Sequence, residues 1–227
     1  MFRQLLSALT SSSGLERAFS ELTEMLDHGA WMFVRANEVL ESKAPPEEVR
    51  EAIYRRDLAI NDLERSIRRK VLRHLTVNPG YDVPISLALI TVARDAERIG
   101  DYCKNVFEVG AFYNLEFHVP KYQEPLERIS QQTQEMFALV SAGCSKSDED
   151  KARQALESSK EIRAECDRIV QDLLEDEDQD QINFHEAVAY SLLARHYKRV
   201  AAHLANIATA VLGELEHLDL EPEDNGE

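Results

Sequence analysis

The feature that most constrains the fold is an apolar heptad pattern that occurs twice, with a spacing of 101 residues. Alternating steps of four and three residues place apolar side chains along one stripe of a helix, which packs almost parallel to its neighbours in a bundle. The positions of this stripe, called the seam below, are Ile85, Leu89, Val92, Ala96, Ile99, Cys103 and Val106 in the first copy and Tyr190, Leu193, Tyr197, Val200, Leu204 and Ile207 in the second. The agreement in register predicts two similar helical bundles.

Breaks in the apolar periodicity divide each half of the chain into three predicted helices. In the first half they cover about 15–42, 46–75 and 83–113, with Asp82 as the cap of the third helix. In the second half one helix covers about 121–141, a turn and capped start at 145–150 opens the next, and the last carries the second seam. Gly (8) and Pro (7) are scarce and alternating Val/Ile/Thr runs are missing, which argues against β-sheets.

The predicted fold is therefore all-α, with two similar three-helix bundles of up-down-up topology related by an internal repeat. We predict that residues 1–118 form the first bundle and that residues 119–217 form the second. Residues 218–227 are predicted to be an acidic, disordered tail, and the acidic stretch 175–180 is predicted to be a solvated connection between two helices.

Charge and cysteine content limit the class of protein and its compartment. A formal net charge of −16 makes nucleic acid or an anionic membrane surface an unfavourable direct partner. The longest apolar run, about 85–93, is far shorter than the roughly 20 residues that a membrane-spanning helix needs. Three cysteines without a CxxC pair, Cys103, Cys144 and Cys166, are typical of reduced thiols. We predict a cytoplasmic protein that does not insert into a membrane.

Two acids on the first seam helix, Glu97 and Asp101, are four residues apart and therefore lie one turn apart on the same face. Because their charges repel, either a bound cation or the nearby Arg94 and Arg98 must compensate them. Facing carboxylates on bundle helices are one way in which proteins hold metal ions. Two interpretations stay open at this point: a metal site, or a solvated face of ion pairs.

A second pair with the same spacing lies on the preceding helix and completes a candidate metal site. Its members are Asp57 and Asn61, and the amide of Asn61 supplies one charge fewer than an acid would. Hard cations accept amide oxygens as ligands, so this substitution weakens the site without removing it. The candidate metal ligands are Asp57, Asn61, Glu97 and Asp101.

The second copy of the motif has lost its acids. Lys198 and Ala202 stand at the positions of the two acids on the last helix, and the helix before it offers Arg163 and Asp167. Two positive charges and an alanine cannot hold a cation. The sequence therefore predicts at most one metal site, in the first repeat.

No pattern of catalytic residues accompanies the candidate metal site. A di-iron carboxylate enzyme needs Glu-x-x-His on two facing helices, and the single such spacing, Glu214 to His217, has no partner. GxxxxGK[ST], HExxH and GxSxG motifs are missing. The other helical histidines are interpreted as surface or packing residues: His74, His185, His196 and His203. We predict a binding protein rather than an enzyme.

A basic strip follows the second half of the second helix. Its members are Arg65, Arg68, Arg69, Lys70 and Arg73. Such a cluster is unusual in a chain of net charge −16. Two interpretations stay open: a docking patch for a protein partner, or a solvated face whose charges pair with nearby acids.

The first seam helix resembles the signature of the PhoU family. The stretch Ala93-Arg94-x-x-Glu97-Arg98-Ile99-Gly100-Asp101-x-x-x-Asn105 is similar to the family pattern A-R-x-x-E-R-I-G-D-H-x-x-N. The stretch Asp57-x-x-Ile60-Asn61-x-Leu63-Glu64-x-x-Ile67 is similar to D-x-x-I-D-x-L-E-x-x-I, and Pro79 and Asp82 lie where the family has a P-x-x-D-L turn. The resemblance covers nearly the whole chain, with a second repeat that is degenerate in its acidic motif.

The resemblance implies a cytosolic protein that negatively regulates phosphate uptake and phosphate-responsive signalling. Its expected partners are a phosphate transporter component and a sensor kinase, and a homodimer is expected. It also implies a pseudo-twofold axis between the bundles, and divalent or ferric metal ions held by the acidic motifs, here in the first repeat only. Two alternatives stay open: an accessory protein of an inorganic-phosphate permease, and a metal-binding helical scaffold or enzyme unrelated to phosphate.

Overall fold

The computed structural model describes residues 13–80, 82–113, 116–175 and 182–213. These residues form six α-helices and no strand. The helices are α1 (Ser13–Leu40), α2 (Pro46–Val77), α3 (Val83–Phe112), α4 (Pro120–Lys146), α5 (Glu149–Glu175) and α6 (Phe184–Leu212). The predicted all-α class, with three helices in each half of the chain, is confirmed.

Side-chain caps define the starts of the last two helices. The backbone N–H of Lys151 donates to Oδ1 of Asp148 at 3.1 Å, so Asp148 caps α5 within the stretch 145–150, where the sequence predicts a capped start. The backbone N–H of Glu186 donates to the side-chain oxygen of Asn183 at 2.9 Å, which caps α6 in the same way. Each cap satisfies an amide that has no partner within its own helix.

Asp82 stands at the start of α3, where the sequence predicts the cap, but its side chain does not cap the helix. Its carbonyl accepts a hydrogen bond of 2.9 Å from the N–H of Ser86. Its backbone is in the left-handed region (φ 56°), and its carboxylate makes no capping hydrogen bond. The carboxylate instead lies 3.1 Å from Nε2 of His74, near the end of α2. Asp82 therefore contacts α3 through its backbone and α2 through its side chain.

The fourth helix is longer than predicted. It continues to Lys146 instead of ending near Ser141, because Cys144 extends the buried stripe by one turn beyond Val140. The ends of α1, α2 and α3 lie within one or two residues of the predicted positions, which is the usual uncertainty of helix ends.

The six helices form two layers. In one layer the order is α2, α3, α6 and α5, with α3 in contact with α2 and α6, and α6 in contact with α3 and α5. In the other layer α1 packs against α2 and α3, and α4 packs against α5 and α6. The side of the four-helix layer that faces away from α1 and α4 is called the outer face below. The repeats α1–α3 and α4–α6 meet mainly where α3 packs on α6.

Every residue of the two predicted seams is buried. They join apolar residues of α1 and α4 in one continuous core. The ring of Phe33 in α1 lies 5.4 Å from the ring of Tyr197 in α6, so the core crosses from one repeat to the other. Burial of this apolar surface is the main stabilising contribution to the fold.

The two seam helices, α3 and α6, run antiparallel at the centre of the four-helix layer. Oδ1 of Asp95 lies 2.8 Å from Nδ1 of His203, and the ring of Tyr102 lies 5.9 Å from the ring of His196. At the repeat spacing Asp95 corresponds to His196 and Tyr102 corresponds to His203, so exchanging the repeats interchanges the two contacts. A pseudo-twofold axis therefore passes between α3 and α6.

Some of the sequence predictions are not tested by the described residues. The predicted tail 218–227 and the predicted acidic connection, apart from Glu175, lie outside the described residues. The division into bundles at residue 118 stays a prediction. Within the described ranges, no helix combines the length and the apolarity that crossing a membrane requires.

Candidate functional site

The acidic motif of the first repeat lies in the groove between α2 and α3 on the outer face. The four predicted metal ligands are Asp57 and Asn61 on α2 and Glu97 and Asp101 on α3. The two helices approach closely here because Gly100 has no side chain. A Cβ atom at Gly100 would lie 2.8 Å from Cδ1 of Ile60, which is closer than packed carbon atoms tolerate.

Lys104, three residues after Asp101 on α3, bridges two of these acids. Its Nζ atom donates to Oδ2 of Asp57 at 2.9 Å and to Oδ1 of Asp101 at 3.2 Å. Burial acts to lower the pKa of Lys104, but the hydrogen bonds and charges of the two aspartates outweigh it and raise the pKa above its ordinary value. Lys104 is therefore a permanent cation that joins α2 to α3.

Glu97 is less well compensated than the two aspartates. Its side chain is 15% exposed, and Oε2 is buried without a hydrogen-bond partner among the described residues. The Nε atoms of Arg94 and Arg98 lie 3.9 and 3.8 Å from Oε2, which is beyond hydrogen-bond distance. Burial raises the pKa of Glu97, and the negative charge of Asp101 adds to the rise. Glu97 thus carries a desolvated charge that its arginine neighbours offset only in part.

The arrangement suits an internal ammonium group better than a metal ion. Asp57 and Asp101 meet through Lys104, and Arg98 adds a contact of 3.6 Å with the carboxylate of Asp101. In the described part of the chain, no three Asp, Glu, His or Cys side chains lie close enough together to enclose a metal ion. The ion-paired face weighed from the sequence matches these contacts, and the metal site stays a prediction.

The sequence shows Lys104 only as a basic residue near the acids, and its bridging role is visible only in the structure. Its distance of three residues from Asp101 indicates an ion pair within α3. Nothing in the sequence indicates the contact with Asp57, which is 47 positions away. That contact depends on the register in which α3 packs against α2.

The corresponding groove of the second repeat, between α5 and α6, holds a different ion pair. Nζ of Lys198 donates to both carboxylate oxygens of Asp167 at 2.7 Å. By the sequence alignment of the repeats, Lys198 stands where the first repeat has Glu97, and Asp167 stands where it has Asn61. The second repeat therefore also has a lysine across its groove, but from a different position on the helix.

A buried polar cluster lies at the pseudo-twofold axis between α3 and α6. Asp95 is 3% exposed, and its Oδ1 atom accepts a hydrogen bond of 2.9 Å from Nδ2 of Asn206 in addition to the contact with His203. The ring of Tyr102 stacks on His203 at 5.8 Å between centroids. The prediction that His203 is a packing residue agrees with its ring contact. It does not include the contact with Asp95, which is 108 positions away in the sequence. The cluster links the two repeats through polar contacts.

Two pairs of arginines occupy matching positions on the outer face. Arg94 and Arg98 on α3 correspond to Arg195 and Arg199 on α6, and these four residues are called the arginine face below. Among the described residues, no carboxylate oxygen lies closer than 3.6 Å to any of their nitrogen atoms. Exposed apolar side chains lie on the same two helices: Leu87, Val188 and Leu192. The α6 half of the arginine face is a positive surface with apolar neighbours on an acidic protein, whereas Arg94 and Arg98 stand beside Glu97 and Asp101.

The basic strip of α2 is mostly paired. Arg65 contacts Asp62 at 3.1 Å and Arg68 contacts Glu64 at 2.6 Å, both within α2. Lys70 pairs with an acid of α1. The interpretation of this strip as a solvated, ion-paired face thus describes three of its five members.

Comparison with known proteins gives the family. The PhoU domain model matches the chain twice, over residues 22–109 and 126–211. The chain belongs to the PhoU family. The two matches lie within α1–α3 and α4–α6, so the internal repeat that the seams predict is a repeat of the PhoU domain. The family predicted from the signature around Glu97 is confirmed.

Individual relatives agree with this result. The chain is 26% identical over 199 residues to the phosphate-specific transport system accessory protein PhoU homolog of Xylella fastidiosa strain Temecula1, which covers 87% of this chain and 82% of the relative. The structure resembles PhoU from Pseudomonas aeruginosa, with a TM-score of 0.69 at 20% identity over 95% of this chain and 99% of the other. It also resembles the phosphate transport system regulatory protein PhoU from Streptococcus pneumoniae, with a TM-score of 0.70 at 20% identity over 92% and 99% of the chains. These structures confirm the predicted PhoU-like fold.

Proposed function

We propose that this PhoU-family chain is an accessory protein that regulates a phosphate transport system by binding a component of the transporter. The names of the Xylella relatives, which describe accessory proteins of a phosphate-specific transport system, support the transporter as partner. The name of the Streptococcus protein, a regulatory protein of a phosphate transport system, supports a regulatory role. The proposed mechanism is contact between proteins.

The observation that carries a binding mechanism is the arginine face. Arginine is enriched in protein interfaces, where its planar guanidinium forms paired hydrogen bonds with carboxylates. Arg195 and Arg199 are exposed and have no acid within ion-pair distance among the described residues, whereas Glu97 and Asp101 partly neutralise Arg94 and Arg98. The adjoining apolar side chains supply area that a partner covers on binding. A carboxylate-bearing surface of the transporter component is the complementary partner.

The cysteine thiols support binding over nucleophilic catalysis. Cys103, Cys144 and Cys166 are all buried in the core. Burial raises the pKa of Cys144 and the pKa of Cys166 to about 12, and it also raises the pKa of Cys103. A catalytic cysteine needs a lowered pKa and access to its substrate. These three thiols therefore serve packing.

The test is recovery of the transporter component with a tagged form of the chain from phosphate-replete cells. We expect the Arg195→Ala/Arg199→Ala variant to recover at least about tenfold less of it than the wild type, because central interface arginines often contribute most of the binding energy. The matched control is Arg69→Ala/Arg73→Ala, which also removes two exposed arginines but from α2. Equal losses in both variants would indicate a charge effect without a defined surface. Recovery of no transporter component by the wild type would contradict the proposal itself.

The finer parts of the proposal concern the sign of regulation and a second partner. We propose that the chain acts in the cytoplasm, lowers phosphate uptake and also contacts a sensor kinase of phosphate-responsive signalling. Deleting the gene should then raise the rate of phosphate uptake in phosphate-replete cells, and a fall in that rate would contradict the proposed sign. If an inorganic-phosphate permease is recovered in place of the transporter component, the alternative accessory role is favoured.

A homodimer is also proposed, because the resemblance to the PhoU family implies one. Sedimentation velocity of the purified chain, with and without added divalent or ferric ions, measures the assembly directly. A monomer at all concentrations would contradict the dimer without affecting the transporter proposal.

A further inference from the structure

Charges in the groove of the first repeat already balance without any bound ion. Three carboxylates line it, on Asp57, Glu97 and Asp101, and three basic side chains stand beside them. The basic side chains are Lys104, Arg94 and Arg98. A divalent ion entering this set would leave it with an excess of two positive charges, whereas an acidic motif that binds a metal starts with an excess of negative charge.

The ammonium group of Lys104 also occupies the oxygens that a metal ion would need. One oxygen of Asp57 and one of Asp101 already accept hydrogen bonds from it. A hard cation takes six or more oxygen ligands, so a metal held by these four side chains would need both oxygens of its carboxylates or added waters, and Lys104 already engages two of those oxygens. Entry of a metal would therefore require Lys104 to leave and both aspartates to lose a charge-assisted hydrogen bond.

The second repeat also has a lysine in its groove, but at a different position of the helix. Lys198, which is equivalent to Glu97, donates to both carboxylate oxygens of Asp167. No lysine in the second repeat corresponds to Lys104, whose counterpart is Ala205. Two unrelated lysine positions thus place an ammonium group across the equivalent grooves.

We propose that Lys104 is an internal cation that takes the place of the metal ion implied by the family resemblance for the first repeat, and that Lys198 fills the equivalent groove of the second repeat, so that the wild-type grooves bind no metal. The inference concerns the grooves alone and does not depend on which partner the arginine face binds. Each lysine also closes its own groove, because Lys104 joins α2 to α3 and Lys198 joins α5 to α6.

The test removes each lysine and measures binding of Mn²⁺ by titration calorimetry. In the Lys104→Met variant, Asp57 and Asp101 lose their shared cation, while the side chain stays unbranched and is only one atom shorter. We expect this variant to bind Mn²⁺ at least about tenfold more tightly than the wild type. Lys104→Arg keeps the charge and should behave like the wild type. Lys198→Met should also show no gain, because its groove has a single aspartate.

Two results would overturn the proposal. One is wild-type protein, purified without chelator, that carries a stoichiometric metal which the Glu97→Ala/Asp101→Ala variant loses. The other is a Lys104→Met variant that folds but binds Mn²⁺ no more tightly than Lys104→Arg. If Lys104→Met does not fold, Lys104→Gln replaces it, and the unfolding temperature of the wild type with Mn²⁺ serves as an independent measurement. A ligand that binds the folded state raises this temperature, so an unchanged value supports the proposal.

Discussion

In the first repeat one aspartate of α2 and two acids of α3 lie beside three basic side chains of α3, whereas in the second repeat one aspartate of α5 faces one lysine of α6. The seams of the same two repeats keep their register throughout and are buried throughout. The difference shows that packing in the core restricts which side chain each buried position accepts, because a close-packed core tolerates few changes of volume. The surface grooves need only local balance of charge, which several arrangements satisfy.

The largest effect is expected from substitutions at equivalent buried positions of the two seams. Leu204 is 0% exposed and occupies the position that Cys103 occupies in the first repeat. Leu204→Ala should lower the free energy of unfolding by about 2–5 kcal/mol, because it removes a buried side chain and leaves a cavity. Cys103→Ala removes one sulfur atom and should cost clearly less. Urea denaturation measures both, and equal losses would contradict the view that volume decides the cost.

A smaller effect is expected at the axis that joins the repeats. Asp95→Ala leaves Nδ1 of His203 and Nδ2 of Asn206 without their shared acceptor, at a cost of about 1–3 kcal/mol. Asp95→Asn keeps an acceptor oxygen and should recover part of this loss. If the two variants unfold at the same urea concentration as the wild type, the cluster does not stabilise the contact between repeats.

The smallest effects should have opposite signs at the equivalent positions Glu97 and Lys198. Because burial raises the pKa of Glu97, its charged form costs free energy above that pKa, and the cost disappears as the pH falls below the ordinary value of about 4.5. Glu97→Gln should therefore raise the free energy of unfolding at pH 7 by up to about 1 kcal/mol, with no gain in acid. Lys198→Gln breaks an ion pair with the exposed Asp167 and should lower it by less than about 1 kcal/mol.

Thermal unfolding at pH 4 and pH 7 checks this pair of variants. A stabilising Glu97→Gln at both pH values would show that the gain does not come from the charge. A destabilising Glu97→Gln at pH 7 would show that Arg94 and Arg98 compensate Glu97 more fully than their long contacts indicate.

Much of the architecture follows from the sequence, as particular residues show. The alternating steps from Ile85 to Val106, and their copy from Tyr190 to Ile207, predict the helices, the repeat and the buried residues. The signature from Ala93 to Asn105 predicts the family. These features are predictable because helical periodicity and capping depend on neighbours along the chain, although the carboxylate of Asp82 contacts His74 instead of capping α3.

The candidate site was predictable only in part. The spacing of Glu97 and Asp101 indicates two acids on one face, and the sequence places Asp57 on the neighbouring helix. The spacing does not predict which basic side chain pairs with these acids, because a lysine side chain at position 104 can point to either side of α3. The histidines show the same limit, since the partner of His203 lies in the other repeat.

The sequence by itself determined the all-helical class, the duplicated seam and the family, because each of these is a property of residues at fixed distances along one helix. The tertiary structure alone decided that Lys104 binds Asp57, that Lys198 binds Asp167 and that Asp95 meets His203. These contacts depend on the lateral register and direction in which helices pack, and a shift of one helical turn would replace every one of them while leaving the apolar pattern unchanged.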